Sequence, residues 1–172
     1  KAGQLGMKTA LIEKETVGGA CLNWGCIPTK AWLKSAKLYA QMMHADDYGI
    51  TLDPKAVSID FKNFLKRKNK IVKKLTGGVK FLLKKNGVTV YDGFGDIKND
   101  HEATVNGETI GFKNLIIATG ATPFFPPIEG LDAAVKNGTA VSARELLDID
   151  TIPEKLSVVG GGVIGVEFAT VF

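Results

Sequence analysis

Cysteine and histidine are both scarce in this chain, with two of each among 172 residues. The histidines, His44 and His101, are isolated in the sequence, so the four-ligand sets typical of structural zinc are missing and no metal site is expected. Long apolar runs are missing too. No stretch of about 20 apolar residues occurs, which leaves no candidate transmembrane helix. The opening residues, KAGQLGMKTA, contain no apolar core of a signal peptide. Internal repeats and low-complexity segments are also absent. One segment lacks acid altogether: residues 62–85 hold ten basic side chains and no carboxylate. Its apolar residues Phe61, Phe64, Leu65, Ile71, Val72, Leu75, Val79, Leu82 and Leu83 recur at helical spacing. An amphipathic helix follows, expected to bend near Gly77-Gly78 and to turn a solvated lysine face outward. Binding of nucleic acid or an anionic surface gains no support, because aromatic residues do not interleave with the lysines. What remains is ordinary globular composition, 45% apolar and 23% charged with a net charge of +4. The length suits one domain with a substantial core.

The two cysteines stand together in GGACLNWGCIPTK, residues 18–30, with four residues between Cys21 and Cys26. Two structural cysteines that never meet are one reading; a redox-active pair is the other. A disulfide needs Cα atoms about 4.4–6.8 Å apart. Residues five apart in a regular helix rise about 7.5 Å and point to different faces. The cysteines can therefore pair only if regular helix is interrupted between them, and Gly25 and Asn23 allow that. Pro28 suits a first helical turn. From there a helix is expected over 28–44, with Lys30 one turn beyond Cys26 and on the same face. A helix start and a cation both favour thiolate. These neighbours tip the balance toward a redox pair, and such a pair suits a cytosolic protein better than a disulfide scaffold does.

Elsewhere the pattern alternates strand and helix. KAGQLG reads as a helix tail stopped at Gly6, and MKTALIEKE as a strand ending in acid at Glu13. A second helix is expected over 60–85 after the Asp53-Pro54 loop. VTVYDGFGDI and EATVNGETIGF are β-rich, with a hairpin turn at Asn106-Gly107. NLIIATGATP reads as a buried parallel strand entering a tight turn, followed by an extended connector forced by Pro123, Pro126 and Pro127. LSVVGGGVIGVEFATVF reads as a strand, a glycine loop and a helix start. Gly160, Gly162 and Gly165 there form GxGxxG, which suits a dinucleotide pyrophosphate, although a plain glycine-rich turn would look the same. The acid at the end of a second strand binds ribose in such units, a role that Glu13 fits.

GGACLNWGCIPTK resembles the active-site signature of the flavoprotein disulfide reductases, that is, the pyridine nucleotide-disulfide oxidoreductases. Leu22, Trp24 and Ile27 make it most similar to the dihydrolipoamide dehydrogenase branch; glutathione and mercuric reductases usually carry Val at the first and last of these. The resemblance runs from KAGQLGMKTALIEKE to VVGGGVIGVEFATVF. It implies an α/β, three-layer Rossmann-like fold, cut at both ends. Residues 1–147 would be an FAD-binding domain lacking its first strand and GxGxxG loop, and 148–172 the beginning of an NAD-binding domain. It implies Cys21 as the exchange thiol, Cys26 as the flavin-side thiol, and Lys30 near the flavin, paired with Glu167. Cofactor contacts are implied for Glu13, Gly18, Gly19, Ala20, Cys21, Lys30, Gly95, Ala118, Thr119, Gly120, Gly160, Gly162, Val163, Ile164, Gly165 and Glu167. For Gly95 a plain turn or bulge is the rival explanation. The implied chemistry is oxidation of dihydrolipoyl groups through the disulfide and FAD, with reduction of NAD. The implied partner is the lipoyl domain of a 2-oxo-acid dehydrogenase complex or glycine-cleavage system, in a cytoplasmic homodimer. The family's His–Glu acid/base pair has no counterpart at His44 or His101. A catalytically incomplete cofactor-binding fragment, inactive alone, is therefore a further reading.

Overall fold

The computed structural model describes residues 1–172. In chain order the elements are β1 (Ala10–Glu13), α1 (Gly19–Trp24), α2 (Cys26–Met43), α3 (Phe61–Lys85), β2 (Thr89–Asp92), β3 (Asp96–Ile97), β4 (Glu102–Val105), β5 (Glu108–Gly111), α4 (Leu131–Lys136), α5 (Ala143–Leu146) and α6 (Val163–Val171). They belong to two compact units, Lys1–Gly19 with Lys74–Ala121, and Ala20–Lys73 with Thr122–Phe172.

In the first unit β1 pairs with β2 in parallel, from Ala10 opposite Thr89 to Glu13 opposite Asp92. Parallel strands need a long crossover, and the chain between these two is largely helical. A three-stranded antiparallel sheet follows, in the order β3-β4-β5. Its hairpin turns at Asn106 (φ 49°) and Gly107 (φ 84°), the paired left-handed residues of a two-residue turn. Asn106 also donates from its side chain to the Asp92 carbonyl at 2.8 Å, tying the hairpin to the end of β2.

In the second unit the core forms around Trp32, 1% exposed on α2. Phe61 and Phe64 from α3 lie against it at ring separations of 6.2 and 5.4 Å, and Phe168 meets it edge-on at 6.2 Å. Leu146 and Leu147 complete the buried cluster. The start of α3 is fixed by Asp60, which accepts from the Asn63 backbone N–H at 3.0 Å.

Helix α3 is continuous through Gly77 and Gly78. Two expectations are corrected. First, the lysine face of α3 is not wholly solvated, because Lys68 is buried at 3% exposure. Second, the apolar runs at 115–118 and 156–160 form no strand. A buried parallel strand is held by hydrogen bonds to neighbouring strands, and no strand within these residues pairs with either run. Ile116 and Val159 accordingly stand 86% and 76% exposed.

Candidate active site

The dithiol segment folds as two helices meeting at one residue. Cys21 lies in α1 and Cys26 opens α2, with Gly25 between them at φ −134°, ψ −117°. A side chain at Gly25 would meet the Ala20 carbonyl oxygen at 2.9 Å and the Cys21 Cα at 3.0 Å. Only glycine lets the chain turn back so closely on α1. Helix α2 therefore begins at Cys26, two residues before Pro28, and Pro28 still falls in the first turn. Thr29 locks that turn, donating from its backbone at 3.1 Å and its hydroxyl at 2.7 Å to the Gly25 carbonyl.

Both cysteines are exposed, free thiols. Their side chains are hydrogen-bonded to each other, and that bond is the chief reason the Cys21 thiol titrates above its ordinary value. Loss of solvent and the charge on Cys26 push the same way, while the Cys26 backbone and the Lys30 charge oppose them. Of the two thiols it is Cys21 that is held back from ionising.

Lys30 is one turn along α2 from Cys26, and its Nζ is 2.6 Å from Glu167 Oε1 on α6. The hydrogen bond to Glu167 is the main cause of the raised Lys30 pKa, with the charges of Glu167, Cys26 and Cys21 adding and desolvation opposing. The Lys30 side chain is 56% exposed and that of Glu167 19%.

Glu167 stands on the helix that follows the glycine loop. Gly160 adopts φ 112°, and a side chain at Gly165 would lie 2.3 Å from the Gly160 carbonyl oxygen and 3.0 Å from Val158 Cγ1. The loop and α6 are thus in closest contact where GxGxxG has its last glycine. Gly162, the residue before α6, has open space around it, and Val163 and Ile164 are exposed. Free N–H groups at the start of a nine-residue helix, beside a loop without side chains, suit a pyrophosphate.

The second unit thus gathers Cys21, Cys26, Lys30, Glu167 and the 160–165 loop. The other expected residues lie in the first unit, apart from Ala20 at the start of α1. Glu13, at the end of β1, accepts from the Glu15 backbone N–H at 2.9 Å. Gly18 and Gly19 are both left-handed, with φ 114° and 72°. A side chain at Gly95 would meet Ile12 at 3.2 Å, so packing on β1 already calls for glycine there. Ala118, Thr119 and Gly120 lie in the irregular, exposed segment described above. No group of three or more His, Cys, Asp or Glu side chains is placed to hold a metal ion. No helix is long and apolar enough to cross a membrane.

Two further residues of the second unit, Lys68 and Arg144, were not among the expected site residues. Lys68 donates to the Leu147 carbonyl at 2.6 Å and to Asp148 at 2.7 Å, at the end of α5. Its place was readable: Phe64, Leu65, Ile71 and Val72 flank it at three and four residues on either side, which puts it on the apolar face. Arg144 stacks its guanidinium 4.0 Å from the centre of the Trp24 ring, a contact between residues 120 positions apart with no local signal.

A sequence profile described as pyridine nucleotide-disulphide oxidoreductase matches residues 1–172. A dihydrolipoyl dehydrogenase of Acholeplasma laidlawii is 54% identical over 172 residues, covering 100% of this chain and 51% of that protein. One from Mycoplasma genitalium is 42% identical over 171 residues, 99% of this chain and 37% of the relative. Among solved structures, the Cu(II) complex of the HOCl-induced flavoprotein disulfide reductase RclA from Escherichia coli superposes with a TM-score of 0.80 at 30% identity. That match covers 99% of this chain and 35% of RclA. The chain thus spans about half, or less, of the length of the relatives it matches.

Proposed function

Since the chain belongs to the pyridine nucleotide-disulphide oxidoreductase family, we propose that it is the dithiol-bearing part of a dihydrolipoyl dehydrogenase. The observation that carries this reading is the hydrogen-bonded Cys21/Cys26 pair set across the Gly25 break, with Lys30 one turn away. Leu22, Trp24 and Ile27 and the names of the two bacterial relatives support the dihydrolipoyl substrate.

In the oxidised enzyme Cys21 and Cys26 share a disulfide. A dihydrolipoyl thiolate attacks Cys21 Sγ; the S–S bond breaks and Cys26 leaves as thiolate. The start of α2 and the Lys30 charge stabilise that leaving group. The second dihydrolipoyl thiol, on losing its proton, attacks the mixed disulfide at the substrate sulfur, and Cys21 leaves and takes up a proton. The substrate is now a disulfide, two electrons and two protons poorer; Cys21 has taken up one of those protons and solvent the other, and the enzyme holds the reduced pair. The Cys21-to-Cys26 hydrogen bond then favours the neutral thiol at Cys21. FAD, when bound, supplies a two-electron acceptor for that pair, and NAD⁺ the final hydride acceptor. Lys30, Glu167, Gly18, Gly19 and Ala20 on the dithiol side, with Glu13, Gly95 and 118–120, are assigned to FAD. Gly160, Gly162, Val163, Ile164 and Gly165 are assigned to NAD, on the strength of the close-packed glycine loop. The partner is a lipoyl domain of a 2-oxo-acid dehydrogenase complex or glycine-cleavage system, the assembly a homodimer, and the location the cytoplasm.

Anaerobic titration of the intact protein with dihydrolipoamide, followed by NAD⁺, tests this. Bleaching of the flavin band and formation of NADH are expected, and both should be lost in Cys21→Ser. A flavin that ignores dihydrolipoamide but responds to glutathione disulfide or mercuric ion with a reduced nicotinamide would move the assignment to another disulfide reductase.

A further inference from the structure

Helix α5 has only four residues, yet both its ends are anchored. At its start Ser142 and Glu145 form a reciprocal cap: the Ser142 N–H donates to Glu145 Oε2 at 2.9 Å, the two side chains are hydrogen-bonded, and the Arg144 N–H donates to Ser142 Oγ at 3.2 Å. At its end the buried Lys68 holds the Leu147 carbonyl and Asp148. This rigid mount carries Arg144, whose guanidinium lies 4.0 Å from the Trp24 ring centre. Trp24 is the last residue of α1, one turn from Cys21 and directly before the Gly25 break. The direction of α1 relative to α2 is set by the Gly25 dihedrals, and a grip on Trp24 restrains them.

We propose that Arg144 is a positioning residue for the redox pair: by stacking on Trp24 it holds Cys21 within bonding reach of Cys26 and so favours disulfide closure. The inference rests on the reading of these cysteines as a redox couple. Without the stack, α1 samples other orientations about Gly25, and the effective concentration of one thiol at the other falls. A cation on an aromatic face shifts an equilibrium about threefold when exposed and about tenfold or more when dry.

The test is the equilibrium of the intact protein with glutathione buffers. One glutathione disulfide takes up two electrons and two protons from the Cys21 and Cys26 thiols, giving two glutathione thiols and the intramolecular S–S bond. Alkylation and mass measurement count the thiols left. Arg144→Ala is expected to lower the closure constant about threefold to tenfold, raising the potential by about 15 to 30 mV. Trp24→Ala should do the same, and the double variant no more than either, because both remove one contact. Trp24→Phe, which keeps a ring, should stay near the parent. Arg144→Lys keeps the charge but not the flat stacking face, and should fall between; it serves if Arg144→Ala does not fold. An unchanged constant in Arg144→Ala or Arg144→Lys, or additive effects at 24 and 144, would overturn the proposal while leaving the redox couple standing. A parent that forms no Cys21–Cys26 disulfide in any buffer would overturn both.

Discussion

Lys68 carries a charge into the most apolar part of the second unit. Its ammonium reaches the Leu147 carbonyl and Asp148 and lies 6.0 Å from the centre of the Trp32 ring. Asp148 is largely exposed, so the ion pair itself is screened; the bond to the carbonyl is the part shielded from water. Lys68→Ala leaves that carbonyl unpartnered and opens space beside Trp32. A loss of about 2–3 kcal/mol in urea unfolding is expected. The charge run at 62–85 is legible in the sequence, and so, from its flanking residues alone, is the one cation of the ten that turns inward. The run invites an average over the whole helix, whereas burial is decided by the four apolar neighbours one turn away. The dithiol was legible too. Gly25 declared the break, because two cysteines five apart cannot meet across regular helix.

Among the elements, α3 tolerates two adjacent glycines in its interior. Each costs about 1 kcal/mol relative to alanine, because glycine gives up more backbone freedom on folding. Both have open space where a side chain would go, and neither has a positive φ. Gly77→Ala should therefore stabilise the protein by about 0.5–1 kcal/mol, read as a higher urea midpoint with an unchanged slope. Glycine weakens a helix without ending it, and α3 continues through both positions. Strands β1 and β2, α2 and the Asn106-Gly107 hairpin were legible because local pattern and turn chemistry specify them. The runs at 115–118 and 156–160 have equally strong local patterns. They fail as strands because a parallel strand is completed only by neighbours, which no local pattern supplies.

At the scale of the whole molecule, those same runs leave large apolar side chains in water, Ile116, Ile117, Val158 and Val159 among them. Exposed apolar segments with unpaired backbone groups are templates for association. The 172-residue chain by itself should sediment as concentration-dependent oligomers and bind a hydrophobic dye. Ile116→Lys with Val159→Lys should reduce both, as read by sedimentation velocity and dye fluorescence.

The Gly25 break has one more consequence. Of the six residues from Cys21 to Cys26, it alone lies outside a helix. A sulfur–sulfur bond would close a ring through that joint and splint α1 to α2; two thiols leave the joint to hinge. Electron transfer at this site is therefore also a change in local stiffness. Backbone amide exchange at 22–27 should slow on oxidation and quicken on reduction, making the redox state audible in the motion of the chain.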